Sequence, residues 1–219
     1  MKRILLPILL FIACCTTANS QIAINNETVK HIVKNERKYF EQITELYKSN
    51  DPMLHAEDIA LVYYGQAFLP QYNPGKDENE KQLKKFYEEK NYEQVYNIGK
   101  RILAYNPVSL NALFSLYFAS KELGKSKEEC MSYFNKYQGI IDMICMYGDG
   151  KSSETAFRVI TPDDQDYIIY GRLEIEEVLS QTLDTESLCN IVTVKPSSSF
   201  PEHCVYFNIS LFLSQAARD

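Results

Sequence analysis

Gln82-Leu83-Lys84-Lys85-Phe86-Tyr87-Glu88-Glu89-Lys90-Asn91-Tyr92-Glu93-Gln94-Val95 opens the stretch that decides how this chain folds. Apolar residues recur there at helical spacing. A short polar turn, Lys90-Asn91, separates one helix from the next. The second helix runs from Tyr92 through Ala104 and closes at Tyr105-Asn106-Pro107. The pattern restarts at Leu110-Asn111-Ala112-Leu113 and runs through Leu123. Gly124 supplies the next turn, and Glu128 to Tyr137 begins another helix. Short connections between amphipathic helices imply antiparallel neighbours.

The register of these helices resembles the 34-residue tetratricopeptide pattern over about one and a half repeats, roughly a quarter of the chain. It departs from that pattern at Val95 and Glu129, where Ala is preferred, at Gly99, where an aromatic is, and at Tyr117, where Gly is. A degenerate repeat of this kind is a scaffold and does not itself fix function. The resemblance implies a groove on the face of the first helices, presenting Lys84, Tyr87, Asn111, Phe114, Phe118 and Lys121 to an extended protein or peptide partner.

Around this stretch the composition is that of an ordinary globular protein, 45% hydrophobic and 24% charged. There are 16 Tyr, 11 Phe and no Trp. Such rings serve as knobs between helices before they serve as a ligand platform. The net charge of −6 and the absence of a basic stripe argue against nucleic acid and anionic membrane surfaces. At the N-terminus, Lys2-Arg3, the apolar run Ile4 to Ile12 and Ala18-Asn19-Ser20 have the layout of a signal peptide cleaved after Ser20. Phe11-Ile12-Ala13-Cys14 also resembles a lipobox, so a lipid anchor at Cys14 is the alternative. No later apolar run is long enough to span a bilayer. The expected organisation is a signal peptide over 1–20, a helical part over 21–147 and a small antiparallel sheet over 148–219. The last two together form one globular unit at the periplasm or cell surface.

Asn25 or Asn26 caps a first helix expected to reach Lys48, stopped by Ser49-Asn50-Asp51-Pro52. A second covers Ala56 to Gln66, with His55 at its start. The following run, Leu61-Val62-Tyr63-Tyr64-Gly65 through Tyr72-Asn73-Pro74, resembles the Leu-Tyr-Tyr-Gly…Tyr-Asn-Pro signature of a family of uncharacterised secreted proteins of gut-type anaerobic bacteria. Gly148-Asp149-Gly150, Asn190 to Val194 and Tyr206 to Ile209 look like the same family. The family is a domain of unknown function. The resemblance implies export and no assigned activity.

After Gly148 the hydrophobic period changes from 3.6 to 2. Strands are expected over Thr155 to Ile160, Glu177 to Leu183, Leu188 to Lys195 and Cys204 to Leu211, the last two forming a hairpin across Pro196 to Glu202. Thr161-Pro162 starts a short helix ending at Gly171. The fold class is therefore α+β: a helical layer, then a small antiparallel sheet that needs the helices as a face to lie on. Cys130 and Cys145 fall on one helix, roughly 22 Å apart at 1.5 Å per residue. Cys204 faces about Val194 rather than Cys189. All four cysteines of the mature chain are expected as free thiols.

Catalytic and metal motifs do not assemble. Gly148-Asp149-Gly150-Lys151-Ser152 lacks the upstream glycine of a phosphate loop, whose position is Cys145, and stands after a helix instead of a strand. Gly150 is read instead as a turn residue at positive φ. His31, His55 and His203 have no metal-ligand spacing. The carboxylates of 163–166 and 77–80 are read as solvated helix starts. No cofactor is implied. Two functions remain: a non-catalytic interaction module using the helical groove, or an enzyme or small-ligand receptor with a site between helices and sheet lined by Tyr63, Tyr64 and Tyr72.

Overall fold

The structure, a computed structural model, describes residues 25–73 and 75–216. The signal-peptide and Cys14 expectations lie outside these residues. Among them the chain is helical up to Tyr147 and then builds a four-stranded sheet and a short terminal helix, an α+β fold.

α1 (Asn26–Asn35) is capped by Asn25, whose side-chain oxygen accepts the Glu27 N–H at 2.9 Å. The single helix expected here is two. The backbone leaves helical geometry at Glu36, and α2 (Arg37–Lys48) follows directly. The bend lets two turns of apolar side chain converge on one point of α3 (Ala56–Gln66). A Cβ added at Gly65 would lie 2.4 Å from the Phe40 ring and 3.2 Å from Val33. Gly65 is the place where three helices meet without room for a side chain.

α4 (Glu78–Glu88), α5 (Tyr92–Tyr105), α6 (Leu110–Glu122) and α7 (Lys127–Tyr147) stack as successive neighbours, and α3 packs on α7. Leu83, Val95, Ile98, Ile102, Ala112 and Ala119 bury a small core between α4, α5 and α6. Gly99 lets α5 approach α6: a Cβ there would lie 2.7 Å from Leu116. Val95, Ile102, Leu113 and Leu116 are buried as the periodicity requires. Tyr92 and Leu123, at helix ends, are only half-buried. α7 carries both Cys130 and Cys145 in one unbroken helix through Gly139.

The sheet runs in the order β1 (Phe157–Arg158), β4 (Cys204–Asn208), β3 (Cys189–Val194), β2 (Val178–Asp184). Its hairpins β2–β3 and β3–β4 are antiparallel, but β1 pairs parallel with β4, so the sheet is mixed and not wholly antiparallel. β1 enters straight from the helical layer while β4 returns after two reversals, which leaves the two running the same way. Cys204 faces Thr193 and Cys189 faces Asn208, and the four cysteines among the described residues are free thiols. β4 stops three residues short of expectation. Asn208 accepts both the N–H and the hydroxyl of Ser210, at 3.1 and 2.7 Å, and so starts α9 (Ser210–Ala216).

Thr161 and Asp164 bond reciprocally. The Asp164 N–H reaches the Thr161 hydroxyl and the Thr161 N–H reaches the Asp164 carboxylate, both at 3.3 Å. They open α8 (Asp164–Asp166), which widens into a π-helical turn over Tyr167–Arg172. One apolar core runs through both layers, from Val29 and Tyr63 to Val192 and Phe207.

Gly150 has φ +70°, and a Cβ there would lie 2.3 Å from the buried Phe157 ring. Left-handed strain and overlap with β1 act together, so Gly150→Val should cost about 2–4 kcal/mol. Urea unfolding measures it. A loss below about 0.5 kcal/mol would contradict the close approach.

Candidate functional site

Three tyrosines of α3 and the loop after it fasten the helical layer to the strand that follows α7. Tyr63 and Tyr64 are fully buried, adjacent rings 5.0 Å apart. The Tyr63 hydroxyl accepts the Ile160 N–H at 3.3 Å and donates to Asp164 Oδ2 at 2.7 Å. Tyr64 donates to the Arg158 carbonyl at 3.2 Å, and Tyr72 donates to the Ile160 carbonyl. A buried hydroxyl must find a partner, and here the partners are backbone groups about 90 residues away in the chain. Tyr63 and Tyr64 therefore stand behind the site as structure. Tyr72 alone of the three lines it.

The site is a cleft of about 290 Å³ between the start of α4, the α5–α6 connection and the segment Ile160 to Tyr167. Its walls are set by bonds between side chains. Glu80 accepts from Ser109 Oγ at 2.7 Å and Asn111 Nδ2 at 2.8 Å, tying α4 to the first turn of α6. Asp77 caps α4 through the Asn79 N–H and accepts the Tyr105 hydroxyl at 2.5 Å. Tyr167, on the π-helical turn, donates to Asn111 Oδ1 at 3.3 Å.

Burial raises the Glu80 carboxyl above its usual range, against the pull of its two donors. Asp164, 5% exposed, is pushed up to about 7 by desolvation, with Tyr63 and Thr161 opposing. These two carboxyls are not the solvated helix-start groups that local sequence implies. Asp163 is exposed, as expected. Lys81 and Lys84 complete the charges of the lining, Lys81 paired with Glu78 at 3.3 Å.

Gln71, Asn73, Lys84 and Asp163 line the cleft exposed to solvent, and two further polar side chains that are not exposed carry no such bonds. Gln66 is 4% exposed, lines the cleft and has no side-chain hydrogen-bond partner among the described residues. Asn106 lines it too, with its Oδ1 buried and unpartnered.

The six groove residues fall in neighbouring places joined through Tyr167. Lys84 and Asn111 belong to the cleft. Tyr87, Phe114 and Phe118 form a ring cluster with centroids 4.8 to 6.5 Å apart. Phe114 continues this cluster to Tyr167 and Tyr137, each at 5.6 Å. Beside it lies an apolar hollow of about 60 Å³ among Phe114, Tyr117, Phe118, Phe134 and Tyr137. Lys121 is exposed, its ammonium 5.1 Å over the Tyr117 ring. Sequence reasoning missed Gln66, Glu80, Asn106, Asp164 and Tyr167. Asn106, in Asn-Pro, reads as a helix stop, and Gln66 as the end of an apolar helix.

No group of three or more His, Cys, Asp or Glu among the described residues is arranged to hold a metal ion. No helix among them is long and apolar enough to cross a membrane. Residues 26–218 match the family described as a domain of unknown function (DUF4919). Neither the curated proteins nor the solved structures hold a match to this chain.

The raised Asp164 carboxyl gives stability a pH dependence of defined sign. The unfolded group loses its proton near pH 4, and the folded one near 7. Between those values the folded state binds the extra proton, so the contribution of Asp164 to stability is most favourable below about pH 4 and is lost as pH rises through 7. Asp164→Asn keeps an acceptor for Tyr63 and removes the titration. Urea unfolding at pH 4.5 and 8 should show the difference between the two shrink by about 2–4 kcal/mol in the variant. An unchanged difference would mean that Asp164 is ionised throughout.

Proposed function

This chain belongs to that family of unknown function, and we propose that it is an exported, non-catalytic binding protein whose small polar ligand sits in the cleft. The supporting observation is how the cleft's polar groups are divided. Glu80 accepts a protein donor on each of its oxygens and Asp164 accepts two on Oδ2, which holds the walls. The Gln66 side chain makes no hydrogen bond with the described residues, and Asn106 Oδ1 is buried without a partner. A buried polar group without a partner costs about 1–3 kcal/mol, and groups kept at such a cost cluster at functional sites.

Export rests on Lys2-Arg3, the apolar run that follows and Ala18-Asn19-Ser20. Free thiols suit an oxidising space when they react slowly. Burial pushes the Cys145 and Cys189 thiols above their usual range, which keeps them protonated. Anchoring through an acylated Cys14 is the alternative to cleavage after Ser20. N-terminal sequencing should find Gln21 first, and a blocked, lipid-bearing Cys14 would replace that outcome.

A second reading, a protein or peptide partner on the aromatic face, is favoured by the half-buried rings of Phe114, Phe118 and Phe134. The hollow between them is small beside the cleft, so the cleft comes first.

A thermal-shift screen of small polar metabolites separates these readings. A ligand at 100 times its Kd adds about 2.7 kcal/mol of stability. At least one compound should raise the Tm of the wild type and leave the Gln66→Leu/Asn106→Leu variant unmoved. Equal shifts in both proteins, or none in either, would remove the cleft reading.

A further inference from the structure

The chemistry of the cleft narrows the class of ligand, given that the cleft is the binding site. Charge comes first. Asp77, Glu80, Asp163 and Asp164 line it against Lys81 and Lys84. Burial already raises Glu80 and Asp164, which means the site resists further negative charge. A phosphate or carboxylate ligand would add to that cost. A cation would find most of the carboxylate oxygens engaged. The Glu80 oxygens already face Ser109 and Asn111, Asp77 faces Tyr105 and the Asn79 N–H, and Asp164 Oδ2 faces Tyr63 and the Thr161 N–H. That leaves Asp164 Oδ1 and the exposed Asp163, which putrescine tests directly.

The unspent groups that are not exposed to solvent are mainly of another kind. Gln66 and Asn106 are primary amides, each with two donors and one acceptor oxygen. Their natural counterpart is an uncharged group that both donates and accepts, and the hydroxyl is the simplest. Two amides in one cleft call for several hydroxyls on one frame. The remaining wall is apolar or aromatic, from Val108, Leu110, Ile160 and the rings of Tyr72, Tyr105 and Tyr167. Those tyrosine hydroxyls already donate to Ile160, Asp77 and Asn111, so the rings offer area more than hydrogen bonds. A volume of about 290 Å³ lies at the small end of ligand pockets.

We infer that the cleft takes an uncharged polyhydroxylated ring, one monosaccharide unit, with hydroxyls on the Gln66 and Asn106 amides and C–H faces against the tyrosines. A free sugar and the terminal unit of a glycan present the same chemistry.

Calorimetry on the full mature chain tests it with D-glucose, D-galactose, N-acetylglucosamine and maltotriose, against putrescine, glycylglycine and inorganic phosphate. At least one sugar should bind at a single site. Gln66→Leu should weaken it at least tenfold while the Tm stays level, because the Gln66 side chain makes no hydrogen bond with the described residues to lose. A merely structural Gln66 would not separate affinity from stability in that way. Tighter binding of maltotriose than of the hexoses assigns a glycan end, and the reverse order a free sugar. Gln66-dependent binding of putrescine, glycylglycine or phosphate without any sugar overturns the ligand class and leaves the cleft as the site. Binding by none of the seven overturns the sugar class, and the metabolite screen then decides the cleft. A sugar bound equally by wild type and variant overturns the placement on Gln66.

Discussion

The Tyr63 hydroxyl sits where the helical layer meets the strand that leaves it, accepting from the Ile160 N–H and donating to Asp164. Much of the molecule depends on that junction. Tyr64 and Tyr72 add two further bonds to the carbonyls of Arg158 and Ile160. Three phenols from one helix and its following loop thus satisfy a short backbone segment on which the sheet begins. A buried hydrogen bond nets about 0.5–1.5 kcal/mol, but losing one partner leaves the other unsatisfied at about 1–3 kcal/mol. Tyr47 shows the contrast, since its hydroxyl is buried in the same core with no partner. The junction is therefore specific in register: a slip of one residue along Arg158–Ile160 would orphan several groups at once.

The same junction shapes the cleft. Holding Ile160 fixes Thr161 and Asp164, whose reciprocal bonds start α8. The π-helical turn that follows delivers Tyr167 to Asn111. On the opposite wall Glu80 locks α4 to the start of α6. The walls are thus held before any ligand arrives, and little ordering cost remains to be met on binding. The carboxylates serve this purpose and titrate abnormally as a consequence of burial. They are the frame around the amides of Gln66 and Asn106, on which the proposed ligand would sit.

Much of this was legible in the residues. The helices from Tyr92 to Tyr147 follow from apolar spacing, and the hairpin β3–β4 was placed within one residue of its register. Gly150 needed positive φ and has it. The failures share a cause. The bend at Glu36 and the end of β4 at Asn208 turn on one local backbone bond that periodicity does not see. The parallel pairing of β1 with β4 joins residues 50 positions apart. Glu80 and Asp164 look solvated because a helix start is normally solvated. Their burial comes from partners up to 101 positions away. Tyr63 and Tyr64 were read as lining a site between helices and sheet, but the fold buries both rings and commits their hydroxyls to Asp164 and to the backbone of Arg158 and Ile160.

If the tyrosine junction binds the two layers into one cooperative structure, neither layer should open alone. Far-UV circular dichroism reports mainly the helices, and Cys189, fully buried in β3, reports the sheet through its reaction with a thiol reagent. Followed together across a urea titration, loss of helix and exposure of Cys189 should share one midpoint and one slope. Exposure of Cys189 at lower urea than the helical transition would show a sheet that opens on its own, and would contradict the account.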